Sequence, residues 1–120
     1  MGRVARIYVY HSGAGIGVTD LGAILPVVVD GREIGATRMD TFVFADVAPG
    51  RRVLQTNTQT GHAMLAMDVD AGAVYFVRQR LEPNGLAVGV GLKLVDDKTG
   101  RAAVQERVLA QTADTVTTTR

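Results

Sequence analysis

Apolar and polar residues alternate along most of the chain, and apolar positions rarely recur at helical spacing. Because successive side chains of a β-strand point to opposite faces, this pattern predicts strands with one buried face. In residues 3–11, Ile7 and Val9 share one face. Tyr8 and Tyr10 share the other. We therefore predict a first strand here, with its tyrosines turned away from the core.

Turn signals separate the predicted strands. Asp30-Gly31 follows an apolar run and is a strong hairpin signal, because Gly adopts positive φ freely and Asp tolerates it. A short strand over residues 33–36 should follow, and Pro49-Gly50 and Ala71-Gly72 mark further turns. About seven short strands joined in this way predict a mainly all-β fold, an antiparallel β-sandwich of immunoglobulin-like or transthyretin-like type.

The last part of the chain has a different pattern. Residues 96–110 begin with Asp96 and Asp97, and Val104 and Val108 lie four positions apart. These features are compatible with a short C-terminal helix, with a strand as the alternative. Residues 111–120 have no apolar period and are predicted to be a disordered polar tail, so that residues 1–110 form a single domain.

Composition narrows the classes of partner. With 13 basic and 12 acidic residues, the formal net charge of +1 provides no broad field for nucleic acid or for an anionic membrane surface. The chain has no cysteine, which excludes disulfides, thiolate catalysis and cysteine metal ligands. No apolar run approaches the roughly 18 residues of a membrane span. Recognition of a partner must therefore depend on local features.

Catalytic chemistry has little support in the motifs. The glycine-rich residues 13–17 match no nucleotide-binding pattern and precede a predicted strand instead of the required helix. His11 and His62 are the only histidines, and a metal site would need further ligands, for which the candidates are Asp20, Asp68 and Asp70. We expect no catalytic residue, no metal and no cofactor. A small metal-dependent hydrolase using His11 and His62 is an alternative.

One predicted strand carries a candidate binding face. Arg78 and Arg80 lie two positions apart, so both guanidinium groups project from the same side and suit an anion or small ligand. Tyr8 and Tyr10 would extend this surface. With Tyr75 they would form an aromatic platform if their strands are neighbours on one face, and the alternative is that Tyr75 caps the core while Tyr8 and Tyr10 lie on the opposite face. The candidate ligand or partner face consists of Arg78, Arg80, Tyr8, Tyr10 and His11.

Several motifs follow one another between roughly residues 4 and 108: a V-DG-x-x-x-G hairpin, an aromatic strand ending in PG, an AG-x-x-Y-x-V-R strand and a final L-V-x-x-x-x-G-R. In their order and spacing these motifs resemble the bacterial domain of unknown function 2846 family. The matching positions are Val29, Asp30, Gly31, Gly35, Phe42, Phe44, Pro49, Gly50, Ala71, Gly72, Tyr75, Val77, Arg78, Leu94, Val95, Gly100 and Arg101.

The resemblance implies a cell-envelope setting, because members are typically small secreted proteins and many carry a lipoprotein signal. We therefore expect a non-enzymatic accessory or binding module in the periplasm or at the outer membrane. Its partner would be a protein or an envelope polymer, and it would meet a membrane only through a lipid anchor absent from this chain. We also expect Met1-Gly2 to be an artificial start that replaces an upstream signal segment.

Overall fold

The computed structural model describes residues 3–13, 22–58, 61–84 and 87–110. The elements in these ranges are β1 (Ala5–His11), β2 (Leu25–Val29), β3 (Arg32–Thr37), β4 (Thr41–Val47), β5 (Gly50–Thr58), β6 (Gly61–Val69), β7 (Val74–Asn84), β8 (Ala87–Val95), α1 (Asp97–Gln105) and β9 (Val108–Leu109). Most of the glycine-rich segment, Asp20, Met1-Gly2 and the predicted tail lie outside the described residues.

The strands form two sheets, which confirms the predicted all-β sandwich. Sheet A has the order β8-β7-β1-β4-β9, and sheet B has the order β3-β2-β5-β6. Most neighbours are antiparallel, but the β1–β7 and β4–β9 pairs are parallel. Both parallel pairs join strands that are far apart in the chain, where no tight turn dictates the direction.

The core lies between the two sheets and consists mainly of inward-facing aliphatic side chains. Alternation places Ile7 and Val9 of β1 inside, as predicted, and both are almost completely buried. The other large, fully buried aliphatic side chains are Leu25, Val27, Val43, Leu54 and Val77. Burial of each such side chain contributes about 1.5–3 kcal/mol to stability, so this core is the main stabilising feature of the fold.

The predicted hairpin at Asp30-Gly31 is confirmed. Both residues have positive φ, 49° and 83°, as a two-residue hairpin turn of type I′ requires. The Asp30 carboxylate accepts hydrogen bonds from the backbone N–H of Val53 (2.9 Å) and from Nη1 of Arg52 (2.8 Å). The bond from Val53, followed by that from Arg52, lowers the pKa of Asp30. The turn is therefore tied to the neighbouring strand β5.

The predicted C-terminal helix is also confirmed, and it packs on the outer face of sheet A. Asp96 is its N-cap: the carboxylate accepts hydrogen bonds from the backbone N–H (3.1 Å) and hydroxyl (2.7 Å) of Thr99. Gly100 is buried against the ring of Phe76, so the glycine allows the helix to approach the sheet. No helix in the described part of the chain combines the length and hydropathy of a membrane span.

Candidate functional site

A row of basic side chains crosses the outer face of sheet A beside α1. Tyr10 of β1 lies directly opposite Arg78 of β7, and Arg78 lies opposite Lys93 of β8. Arg80 follows Arg78 on the same face, and Arg107 reaches Tyr10 from the segment after the helix. We call the surface formed by Tyr10, Arg78, Arg80, Lys93 and Arg107 the basic face. It confirms the prediction that Tyr10 and the two arginines of β7 share a side.

Arg107 is held in place by neutral groups. Its Nε donates to the backbone oxygen of His11 (2.9 Å), and its Nη1 donates to the backbone oxygen of Ala103 (2.7 Å). Its guanidinium carbon lies 5.0 Å from the centre of the Tyr10 ring. Carbonyl oxygens and an aromatic face orient a guanidinium without neutralising it. Arg107 therefore presents a fixed positive charge.

The charges on β7 and β8 are only partly balanced. Within the described residues, neither Arg78 nor Lys93 has an acidic partner, and the buried Nε of Arg78 has no hydrogen-bond acceptor. Arg80 has a partner at longer range, since its Nε lies 3.6 Å from a Glu82 carboxylate oxygen. Asp96 is also close enough for its charge to act on Tyr10, so four cations face two carboxylates and the surface has an excess of positive charge.

Tyr10 adds a hydrogen-bond donor to this surface. The residue is only 3% exposed, and burial is the largest influence on its phenol, raising the pKa above the ordinary value. The nearby charges of Arg78 and Arg107 act in the opposite direction. The phenol therefore stays protonated at neutral pH and is a hydrogen-bond donor close to the charges of Arg78 and Arg107.

Tyr8 lies on the same side of the sheet but belongs to an aromatic cluster next to the basic face. Its ring stacks on Phe76, with centroids 5.3 Å apart and an angle of 8°, and it also contacts Phe42 and Phe44. Arg6 covers the far side of the cluster, 4.4 Å from the Phe44 ring centre. The prediction placed Tyr8 correctly by face, but this half-buried residue packs its ring against three phenylalanines and not beside Arg78.

The three tyrosines do not share one face, so the aromatic platform does not form and the alternative with Tyr75 at the core is confirmed. Tyr75 packs against the core between the sheets, while Tyr8 and Tyr10 point outward. The reason is register: Tyr75 lies opposite Ile7, whose side chain is inside. The Tyr75 hydroxyl accepts a hydrogen bond from the backbone N–H of Asp70 at 2.9 Å.

His11 does not belong to the predicted ligand face. It is fully buried, and its Nδ1 lies 3.2 Å from the Thr37 hydroxyl. Tyr10 and His11 are adjacent on one strand, so their side chains must point to opposite faces. Including both in one surface was therefore wrong.

The structure also keeps the two histidines apart. His62 is exposed on β6 of sheet B, whereas His11 lies between the sheets. Among the residues that the structure describes, no group of three His, Asp or Glu side chains is placed to hold a metal ion. Asp20, one of the proposed further ligands, lies outside these residues. The arrangement gives the hydrolase alternative no geometric support.

Sequence reasoning missed Lys93 and Arg107. Lys93 could have been found from hairpin symmetry, since Lys93 and Arg78 lie equally far from the connection between β7 and β8. Arg107 had no such signal, because its position depends on how α1 packs on the sheet.

A comparison with protein-family models gives one assignment. The model described as "Protein of unknown function (DUF2846)" matches residues 3–91. The matched range contains Tyr10, Arg78 and Arg80, and it ends before Lys93 and Arg107. No curated protein matches the sequence.

Proposed function

The chain belongs to the DUF2846 family, and we propose that it is a non-enzymatic binding module of the bacterial cell envelope whose basic face holds an anionic group of its partner. The observation that supports this proposal is the pair of arginines beside the Tyr10 hydroxyl. Arg107 is oriented by carbonyl groups, and Arg78 has no acidic partner among the described residues.

The chemistry of these side chains suits binding. A guanidinium has only donors and stays protonated in proteins, so neither arginine can accept a proton as a general base. The oriented guanidinium of Arg107, the guanidinium of Arg78 and the nearby phenol are all donors that suit the oxygens of a phosphate or carboxylate. The face lies on the surface of a sheet, where a group attached to a larger molecule can reach it. A protein or an envelope polymer bearing such groups is therefore the proposed partner.

We expect inorganic phosphate to bind the basic face, and Arg78→Gln or Arg107→Gln to weaken that binding about tenfold or more. Each substitution removes a charge-assisted hydrogen bond, which is worth about 1.5–3 kcal/mol. The measurement is a phosphate titration followed by amide chemical shifts of the whole chain. Arg51→Gln is the control, because Arg51 forms an exposed ion pair with Asp68 on sheet B. Equal losses in all three variants, or no saturable binding, would refute the proposed anion site.

The envelope location is a separate part of the proposal, supported by the export that family resemblance implies. We expect the untagged product of the native reading frame to fractionate with the periplasm or the outer membrane. Immunoblotting of cell fractions, with a cytoplasmic and a periplasmic marker as controls, checks this. Recovery of the product with the cytoplasmic marker alone would overturn the location and leave the anion site open to its own test.

A further inference from the structure

A cleft of about 150 Å³ lies at the edge of the sandwich, between the ends of β2 and β4 and the start of β3. It is separate from the basic face, since none of its lining residues belongs to that surface. Its apolar lining consists of Val29, Ile34, Ala45 and Val47. The first three are buried, and Val47 packs against the same core cluster. An apolar wall of this kind favours a small aliphatic group over water.

The charged residues at this cleft determine which ligands it suits. Asp30 is already bound by Arg52 (2.8 Å), and Asp46 also lines the cleft. Asp46 is bound by Arg6 through two hydrogen bonds of 2.7 and 3.0 Å, and this pairing raises the pKa of Arg6. Both carboxylates are therefore balanced by an arginine.

Arg32 is the remaining charge at the cleft. It is exposed, and within the described residues no acid or hydrogen-bond acceptor binds its guanidinium. The cleft thus has an apolar wall and one uncompensated positive charge. A carboxylate matches that charge, whereas an amine would compete with arginines that already occupy both aspartates.

We propose that this cleft binds a small branched aliphatic carboxylate. The alkyl group packs against Val29, Ile34 and Ala45, and the carboxylate pairs with Arg32. The inference is independent of the anion site on the basic face, because none of the residues that line the cleft belongs to that face.

The test uses three probes of nearly equal shape: isovalerate, its neutral amide isovaleramide, and the cation isoamylamine. Each is titrated into the whole chain and followed by amide chemical shifts. We expect isovalerate to bind saturably, with a dissociation constant on the order of 1–10 mM for a ligand of about seven non-hydrogen atoms. The shifts should centre on residues 29–34 and 45–47. The amide and the amine should bind at least about tenfold more weakly, because they lack the charge-assisted contact.

Three variants complete the test. Arg32→Gln should weaken isovalerate binding about tenfold, Arg32→Lys should retain most of it, and Arg51→Gln, which breaks an exposed ion pair with Asp68, should leave it unchanged. The proposal is overturned if isovalerate does not saturate, if isovaleramide binds equally well, or if Arg32→Gln has no effect. Shifts confined to Tyr10 and Arg78 would also overturn it and would instead show that simple carboxylates bind the basic face.

Discussion

Replacing Gln79 by alanine is expected to lower the free energy of unfolding by about 3–5 kcal/mol, an unusually large effect for a polar side chain. Gln79 is fully buried between the sheets, together with His11, Thr37 and Thr56. Buried polar groups are tolerated only when their hydrogen bonds are made, so each one depends on its partners.

The contacts of Gln79 connect both sheets. Its Oε1 accepts from the Thr37 hydroxyl (2.5 Å). Its Nε2 donates to the Thr56 hydroxyl (3.1 Å) and to the backbone oxygen of Pro26 (3.1 Å), with a weaker contact to the backbone oxygen of Leu25 (3.4 Å). Alanine would leave these groups without their partner and would also create a cavity. Each buried group left unsatisfied costs about 1–3 kcal/mol.

Gln55→Ala is the matched control, because Gln55 is a half-exposed glutamine on β5 that water can solvate. We expect it to change stability by about 0.5 kcal/mol or less. Urea denaturation of both variants gives the comparison. Similar losses for Gln79→Ala and Gln55→Ala would show that the buried network contributes little to stability.

The sequence contained more of the fold than of the site. Alternation identified the inner face of β1, the Asp30-Gly31 turn predicted a hairpin, and Asp96 indicated where a helix begins. These features depend on neighbouring residues in the chain, so the sequence alone can predict them. The parallel pairing of β1 with β7 could not be predicted in this way, because it joins strands that are distant in the chain and depends on how the whole core packs.

The buried network shows a second kind of limit. Alternation along β7 places Gln79 between Val77 and Leu81 on the inner face, yet a polar residue alone would be assigned to the surface. The correct assignment requires knowing that Thr37 and Thr56 meet it from other strands. Satisfaction of a buried polar group is a tertiary property, so it has no local signal.

In the candidate site, too, the sequence predicted what local spacing decides and missed what tertiary packing decides. Arg78 and Arg80 were assigned to one face because spacing on a strand decides that, whereas Tyr10 joins them through the pairing of β1 with β7. His11 was assigned there wrongly, against the same alternation rule. Arg107 could not be found, since it reaches Tyr10 only after α1 has packed on sheet A.

Because the position of Arg107 depends on how α1 packs on sheet A, we can make a prediction about Gly100, the buried glycine of α1. In most exposed helix interiors, Gly→Ala stabilises by about 0.5–1 kcal/mol, because Ala loses less backbone entropy on folding. Here a Cβ on residue 100 would overlap Cβ and Cγ of Phe76, which are the least movable atoms of that side chain. We expect Gly100→Ala to destabilise the protein by about 1–3 kcal/mol, the opposite sign to that given by helix propensity.

Two further variants distinguish this contact from a general effect on the helix. Ala102→Gly, at an exposed position of α1, should cost only the propensity term of about 1 kcal/mol. Phe76→Ala combined with Gly100→Ala should lose less stability than the sum of the two single variants, because alanine removes Cγ and the ring that the new methyl group would overlap. Urea denaturation measures all of these changes, and a stabilised Gly100→Ala variant would show that the helix does not pack closely on Phe76.

The same substitution connects the helix to the proposed function. Arg107 donates to the backbone oxygen of Ala103 in α1, so a shift of the helix moves the guanidinium away from Tyr10. We therefore expect folded Gly100→Ala protein to bind phosphate several-fold more weakly, although residue 100 contributes no charge to the basic face. Ala102→Gly should leave phosphate affinity unchanged. Unaltered affinity in Gly100→Ala protein that is measurably destabilised would mean that Arg107 is not positioned by the packing of α1.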